Sequence, residues 1–195
     1  VTVTQKGSGS GTITVSPATV TLPSSAGTSG SLTVVASGAW YIEQNDELMV
    51  EESSGGAGSK TVAWQIGANT GDEWREVVIT VRSQDGALVA RQSIWQPGSD
   101  PDAVTFLPDT DALTFYADAA AVTKTYKMRV VSGRAWTATG DVNWIGANKS
   151  SGAADTVVEV TFTPTISSSA VRIGHWTVTN AGGVTRTLTI TTIPD

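Results

Sequence analysis

Trp74 stands beside Asp72, Glu73 and Arg75, a grouping equipped to recognise a sugar. An indole face stacks on the C–H face of a sugar ring, and flanking carboxylates accept hydrogen bonds from its hydroxyls. The chain has seven tryptophans in 195 residues, so each raises the question of whether it faces a ligand or a core. Trp74, with Asp72 and Glu73, is the carbohydrate-binding candidate; local packing of the indole is the alternative.

Catalytic chemistry is poorly supplied. His175 is the only histidine and there are no cysteines, which excludes thiol nucleophiles, most zinc sites and most triads. Three carboxylate pairs exist, Asp46/Glu47, Glu51/Glu52 and Asp72/Glu73. Adjacent residues on a strand point to opposite faces, so none of these pairs straddles a glycosidic bond. Asp100 and Asp102, with Asp109 and Asp111, offer oxygen ligands of the kind calcium prefers, but no complete loop motif surrounds them. The reading is a chain that is not an enzyme and has no metal site and no cofactor.

Charge narrows the partners. The net charge is −6. Residues 1–100 carry 5 Lys/Arg against 10 Asp/Glu, and residues 101–195 carry 7 against 8. A nucleic-acid site needs a basic patch, and none is visible. No apolar run approaches the roughly 18 residues of a membrane helix, so this segment is not expected to insert.

The elements that would position these residues are strands. Val62, Trp64 and Ile66 alternate with polar neighbours, as do Val77, Ile79 and Val81, and Val158, Val160 and Phe162. Period two means one face on a core and one in water. By that parity Trp64 and Trp176 point inward, whereas Trp95 points outward and Trp74 sits at a strand entrance, both at least partly exposed. Asp85-Gly86 reads as a two-residue hairpin turn.

The alternating segments occur twice. Ser37-Gly38-Ala39-Trp40 matches Ser132-Gly133-Arg134-Ala135-Trp136, with the tryptophans 96 residues apart. An apolar position, Leu48 or Trp144, follows each. Ser53-Ser54-Gly55 matches Ser150-Ser151-Gly152, and Arg75 and Arg172 each open an alternating run. Val15-Ser16-Pro17 matches Phe106-Leu107-Pro108. The fold expected is all-β: two tandem immunoglobulin-like β-sandwich domains of about seven strands each. Repeat one spans 10–97 and repeat two 103–195, with Trp40, Trp136 and Trp144 filling their cores. Residues 98–102 form a linker within the joining segment Gln96–Asp102, which two prolines stiffen and polar residues keep exposed. Trp95, Pro97 and Pro101 are read as interdomain residues. Residues 1–9 hold either the closing strand of an upstream repeat, over Val1–Gln5, or an added edge strand, followed by a linker.

The ordered set Val-x-Pro, Ser-Gly-x-Trp, an apolar position, Ser-Ser-Gly, Arg before an alternating strand and a closing Thr/Gln strand resembles the BACON domain, the Bacteroidetes-associated carbohydrate-binding often N-terminal module. The resemblance covers both repeats. Repeat two departs from it at Asp109-Thr110-Asp111-Ala112 and at Thr191-Thr192, where Gln would be usual. Fibronectin-like and bacterial immunoglobulin-like repeats are the other families in view. The resemblance implies an exported segment, extracellular or on the surface of a Gram-negative bacterium. Such modules accompany glycan-degrading enzymes, and some act as spacers. It also makes Asp155-Thr156-Val157 similar to the O-glycosylation signal of that bacterial group. The expected function is a non-catalytic spacer or cell-adhesion stalk, monomeric, with glycans or other surface proteins as partners. A carbohydrate-binding module for host mucin or plant glycan is the alternative, and an accessory part of a glycan-degrading enzyme a third.

Overall fold

In a computed structural model, which describes residues 11–43, 45–100, 102–117, 124–167 and 169–194, the chain is all-β. The stretch Val1–Gln5 and Pro101 lie outside the described residues. Repeat one contains β1 (Ile13–Ser16), β2 (Thr19–Thr21), β3 (Thr28–Ala36), β4 (Trp40–Ile42), β5 (Leu48–Val50), β6 (Ser54–Gly55), β7 (Gly58–Ile66), β8 (Arg75–Ser83) and β9 (Val89–Gln96). Repeat two contains β10 (Thr105–Leu107), β11 (Ala112–Tyr116), β12 (Tyr126–Val131), β13 (Trp136–Gly140), β14 (Ser151–Gly152), β15 (Val158–Phe162), β16 (Arg172–Asn180) and β17 (Thr185–Ile193).

Each repeat is a sandwich of two sheets. In repeat one the sheets run β1-β3-β7-β5 and β2-β9-β8-β4-β6; in repeat two they run β10-β12-β15 and β11-β17-β16-β13-β14. The opening stretch of each repeat is divided between the sheets. β1 pairs antiparallel with β3, then β2 pairs parallel with β9. β10 and β11 do the same with β12 and β17. A proline marks the switch, since it cannot donate to a ladder, and the Ser16–Pro17 and Leu107–Pro108 peptides are both cis. The order β1-β3-β7-β5 against β9-β8-β4 is that of an immunoglobulin-like sandwich.

The alternation seen in the sequence becomes two separate cores. Leu32, Val34, Trp40, Val62, Trp64, Val77, Ile79 and Ile94 lead the first. Phe106, Met128, Val130, Trp136, Val160, Phe162, Trp176 and Ile190 lead the second. Trp176 is its aromatic centre, with ring centroids 5.0 Å from Phe162, 6.2 Å from Phe106 and 6.3 Å from Trp136. Trp144 is half-buried against the same cluster. The two repeat motifs meet in register, Trp40 opposite Gly55 and Trp136 opposite Gly152.

Two local expectations change. The hairpin after β8 is longer than two residues: Ser83 N–H donates to Leu88 C=O at 3.0 Å and Gly86 N–H to Ser83 C=O at 2.8 Å. Only Gly86 takes a left-handed φ, +73°, whereas the two-residue turn needs positive φ at both central positions. The segment after β9 is exposed only in part. Ser99 and Asp100 are exposed, but Pro97 and Gly98 are buried, and a methyl on Gly98 would lie 2.4 Å from the Asp72 backbone. The chain forms two compact units, one holding the residues up to Thr70 with Arg75–Gln96, the other holding Gly71–Trp74 with Pro97 and all that follows.

Candidate functional site

The corner Gly71–Trp74 precedes β8 in sequence but belongs to the second compact unit. Backbone bonds hold it there: Ser99 N–H donates to Gly71 C=O at 2.8 Å and Asp100 N–H to Asp72 C=O at 3.3 Å. Trp74 N–H donates to Thr105 Oγ1 at 3.1 Å. The side chains are equally engaged. Ser99 Oγ donates to Asp72 Oδ1 at 2.6 Å, and Glu73 Oε2 accepts from an Arg186 nitrogen at 2.9 Å.

Trp74 itself is buried at 3% exposure, which corrects the expectation of an exposed indole. Its strand-entrance position said nothing about Ser99, Asp100 and Thr105, 25 and more positions away, to which its corner is bonded. A buried indole has no free face for a sugar, so Trp74, Asp72 and Glu73 are adjacent in space without forming a platform. Trp95 is corrected in the same way, at 1% exposure. Ile94, Trp95 and Gln96 are buried in succession, so both faces of β9 are covered at its end and parity no longer separates inside from outside.

Arg186 organises the largest charge cluster among the described residues of the second unit. It reaches Glu73 at 2.9 Å and Asp111 at 2.7 Å, contacts Asp109, and lies 4.7 Å from the centroid of the Phe106 ring. Its side chain is 14% exposed. Burial disfavours the charged guanidinium, but the hydrogen bonds it donates to Asp111 and Asp109 and the nearby Glu73 outweigh it and hold the pKa above its ordinary value. The pair considered for calcium, Asp109 and Asp111, thus faces a guanidinium. Asp102 is likewise committed: its carboxylate pairs with Arg134, and its carbonyl accepts from Asn180 Nδ2 at 2.6 Å and Ser132 Oγ at 3.1 Å. Among the described residues no three His, Cys, Asp or Glu side chains converge as metal ligands.

The remaining candidates are dispersed. Glu47 pairs with Arg75 and Glu52 with Lys60, so one acid of each adjacent pair is held by its own cation. His175 is exposed on β16, its Nδ1 2.8 Å from Asp141 Oδ2. The backbone N–H of His175 also donates to Asp141 Oδ1 at 2.7 Å. These two bonds, the backbone one foremost, hold the Asp141 carboxyl below its ordinary pKa. Thr156 is exposed in a turn and donates to Ala153 C=O at 2.7 Å, next to Asp155 at a φ of 55°. No helix among the described residues is long and apolar enough to cross a membrane. Sequence reasoning missed Arg186, although it is the one charge in an otherwise threonine-rich closing strand.

No protein-family model matches the chain, and no curated protein matches it in sequence. Among solved structures, the D0-D1 domains of intimin are similar over 94% of this chain and 99% of that one, at 13% identity and a TM-score of 0.37. The titin tandem domains A164-A165 are similar over 94% of each chain, at 11% identity and a TM-score of 0.36. A Bacteroides ovatus GH5 xyloglucanase is similar over 48% of this chain, at 13% identity and a TM-score of 0.41; the match spans 19% of the xyloglucanase. The chain's own strand order and register make it a tandem pair of immunoglobulin-like sandwiches.

Proposed function

We propose that this chain is a non-catalytic spacer or adhesion-stalk segment of an exported surface protein, built from BACON-like modules. One observation carries the reading: in each repeat an early strand pairs in parallel with the last one, β2 with β9 and β11 with β17. Tension applied at the ends of a module passes along its opening strand, β1 or β10, into β2 or β11, and leaves through β9 or β17. Parallel neighbours pulled in this way load all their hydrogen bonds together, whereas neighbours joined end to end would unzip one bond at a time. The ladders extend past the strand ends: Leu22 N–H donates to Trp95 C=O at 2.8 Å, and Ala117 N–H to Ile193 C=O at 2.7 Å. That arrangement suits a module that carries load.

The burial of Trp40, Trp64, Trp74, Trp95, Trp136 and Trp176 at 3% or less supports the same reading, because packing consumes the aromatic surface a glycan would use. The test is single-molecule extension by the chain ends. Two abrupt ruptures are expected, each at a force well above that for the same repeat pulled through its β8–β9 hairpin. Gradual extension at low force would overturn the proposal. Retardation in gels containing mucin, xylan or xyloglucan would favour the glycan-binding reading instead.

A further inference from the structure

Repeat one holds a filled version of a site that repeat two leaves open. Arg75 opens β8 and lies opposite Gln96 on β9. Its Nε donates to Gln96 Oε1 at 2.9 Å, one terminal nitrogen to Glu47 Oε1 at 3.1 Å and the other to Gly67 C=O at 3.0 Å. Each of its three nitrogens therefore meets an acceptor, and its charge meets a carboxylate.

Arg172 opens β16 and lies opposite Thr192 on β17, the same place in the ladder. It is partly buried, as Arg75 is. The acceptors, however, are gone. Thr192 stands where Gln96 does, and its hydroxyl is fully buried without a hydrogen-bond partner. Asn143 stands where Glu47 does, and no acid occurs over residues 142–149. Asp141, just before them, is taken by His175. Among the described residues Arg172 has no hydrogen-bond or ion-pair partner. A guanidinium that has lost part of its hydration and a hydroxyl that has lost all of it are both costly without an acceptor. Directly opposite residues of a ladder have their side chains on the same face, about 5 Å apart at Cβ. Two donors thus stand side by side, and the missing group is the one Glu47 supplies in repeat one.

We propose that Arg172 and Thr192 form a carboxylate-binding site in repeat two, where the acid group of a ligand takes the place that Glu47 fills in repeat one. The guanidinium donates to the carboxylate and carries the charge; the Thr192 hydroxyl is the second donor. Acetate is a minimal ligand of this class, and a sugar acid presents the same group on a larger body. The site does not depend on the load-bearing role, and acetate binding stands whatever uncharged glycans do.

The arginine Nε–H signals of nitrogen-labelled protein give a direct test, with Arg172→Lys identifying its signal by loss. Sodium acetate replaces sodium chloride at constant ionic strength. The Arg172 signal is expected to shift and saturate, with a Kd of about 1–10 mM for a single charged contact in water. The Arg75 signal is expected to stay in place, because Glu47 holds it; in Glu47→Ala it should respond as Arg172 does. Thr192→Val, which keeps the side-chain shape, is expected to weaken acetate binding about threefold while circular dichroism is unchanged. Glucuronate is the second probe: binding tighter than acetate assigns the site to a sugar acid, equal binding to a small organic acid. An Arg172 shift that does not saturate, or is no larger than that of Arg75 in the wild type, overturns the proposal. So does an acetate affinity that Thr192→Val leaves unchanged.

Discussion

Trp136 lies across Gly152: a methyl group on that glycine would sit 2.5 Å from the indole nitrogen. Gly55 and Trp40 repeat the relationship, with the added methyl 2.4 Å from Trp40 Cζ2. The Ser-Ser-Gly motif therefore ends in glycine because the Ser-Gly-x-Trp tryptophan occupies the space of its side chain. Gly55→Ala and Gly152→Ala should each destabilise their own repeat by about 1–3 kcal/mol through overpacking. The effect should shrink in a Trp136→Leu background for Gly152→Ala, because the clash has been removed. Urea unfolding of the four variants of that cycle measures the coupling; additive losses would separate glycine from tryptophan.

Gln96 is fully buried and ties three loop carbonyls together. Its Nε2 donates to Ser25 C=O at 3.1 Å, Ala26 C=O at 3.0 Å and Gly67 C=O at 3.1 Å, while Oε1 accepts from Arg75 Nε at 2.9 Å. Gln96→Leu keeps the volume and strips these partners, so repeat one should lose about 2–4 kcal/mol. In repeat two the position is Thr192, fully buried, with no hydrogen-bond partner for its hydroxyl among the described residues. Thr192→Val should therefore be neutral or stabilising, because it removes an unsatisfied polar group. Chemical denaturation of both variants checks the contrast, and a marked loss in Thr192→Val would contradict it.

The resemblance of the repeats and the inward tryptophans were legible because they depend on period-two parity and on motifs within one strand or one turn. Trp40, Trp64, Trp136 and Trp176 are buried as that parity requires. Trp74 and Trp95 were not legible. Parity assumes one face in water, an assumption that fails over Ile94–Gln96 and cannot apply to a corner held by Ser99, Asp100 and Thr105. The acids at 109 and 111 drew attention as oxygen ligands for calcium, whereas in the structure both face Arg186, 77 and 75 residues away. No local pattern encodes such a pairing.

Asp141 accepts from both the backbone and the ring of His175, and its folded-state pKa lies below the unfolded value of about 3.8. A carboxyl with a depressed folded pKa stabilises the fold above its unfolded pKa, and that contribution fades as pH falls through the folded value. Asp141→Asn should thus lower the stability of repeat two at pH 5, with the difference from wild type narrowing below pH ~4. Both groups are exposed, so the effect should be small. Urea midpoints between pH 2.5 and 6 test it, and a difference that widens toward low pH would have the wrong sign.

Arg186 should matter more than any surface ion pair of this chain, because one largely buried guanidinium serves Glu73, Asp109 and Asp111 and covers the Phe106 ring. Arg186→Met preserves much of the packing on Phe106 but leaves three carboxylates facing one another. The acids are 46%, 74% and 64% exposed, so solvent screens part of that repulsion. A loss of about 1–3 kcal/mol for the second compact unit follows, smaller than for a fully buried pair. Salt supplies the diagnostic, since screening weakens carboxylate repulsion: the loss should be greater at 50 mM than at 500 mM NaCl. Arg186→Lys should recover only part of the stability, because an ammonium lacks the planar fork that reaches several carboxylates and stacks on a ring. A salt-independent loss that lysine fully restores would show that packing and a single charge, rather than the three-carboxylate geometry, account for the conservation of stability at this corner.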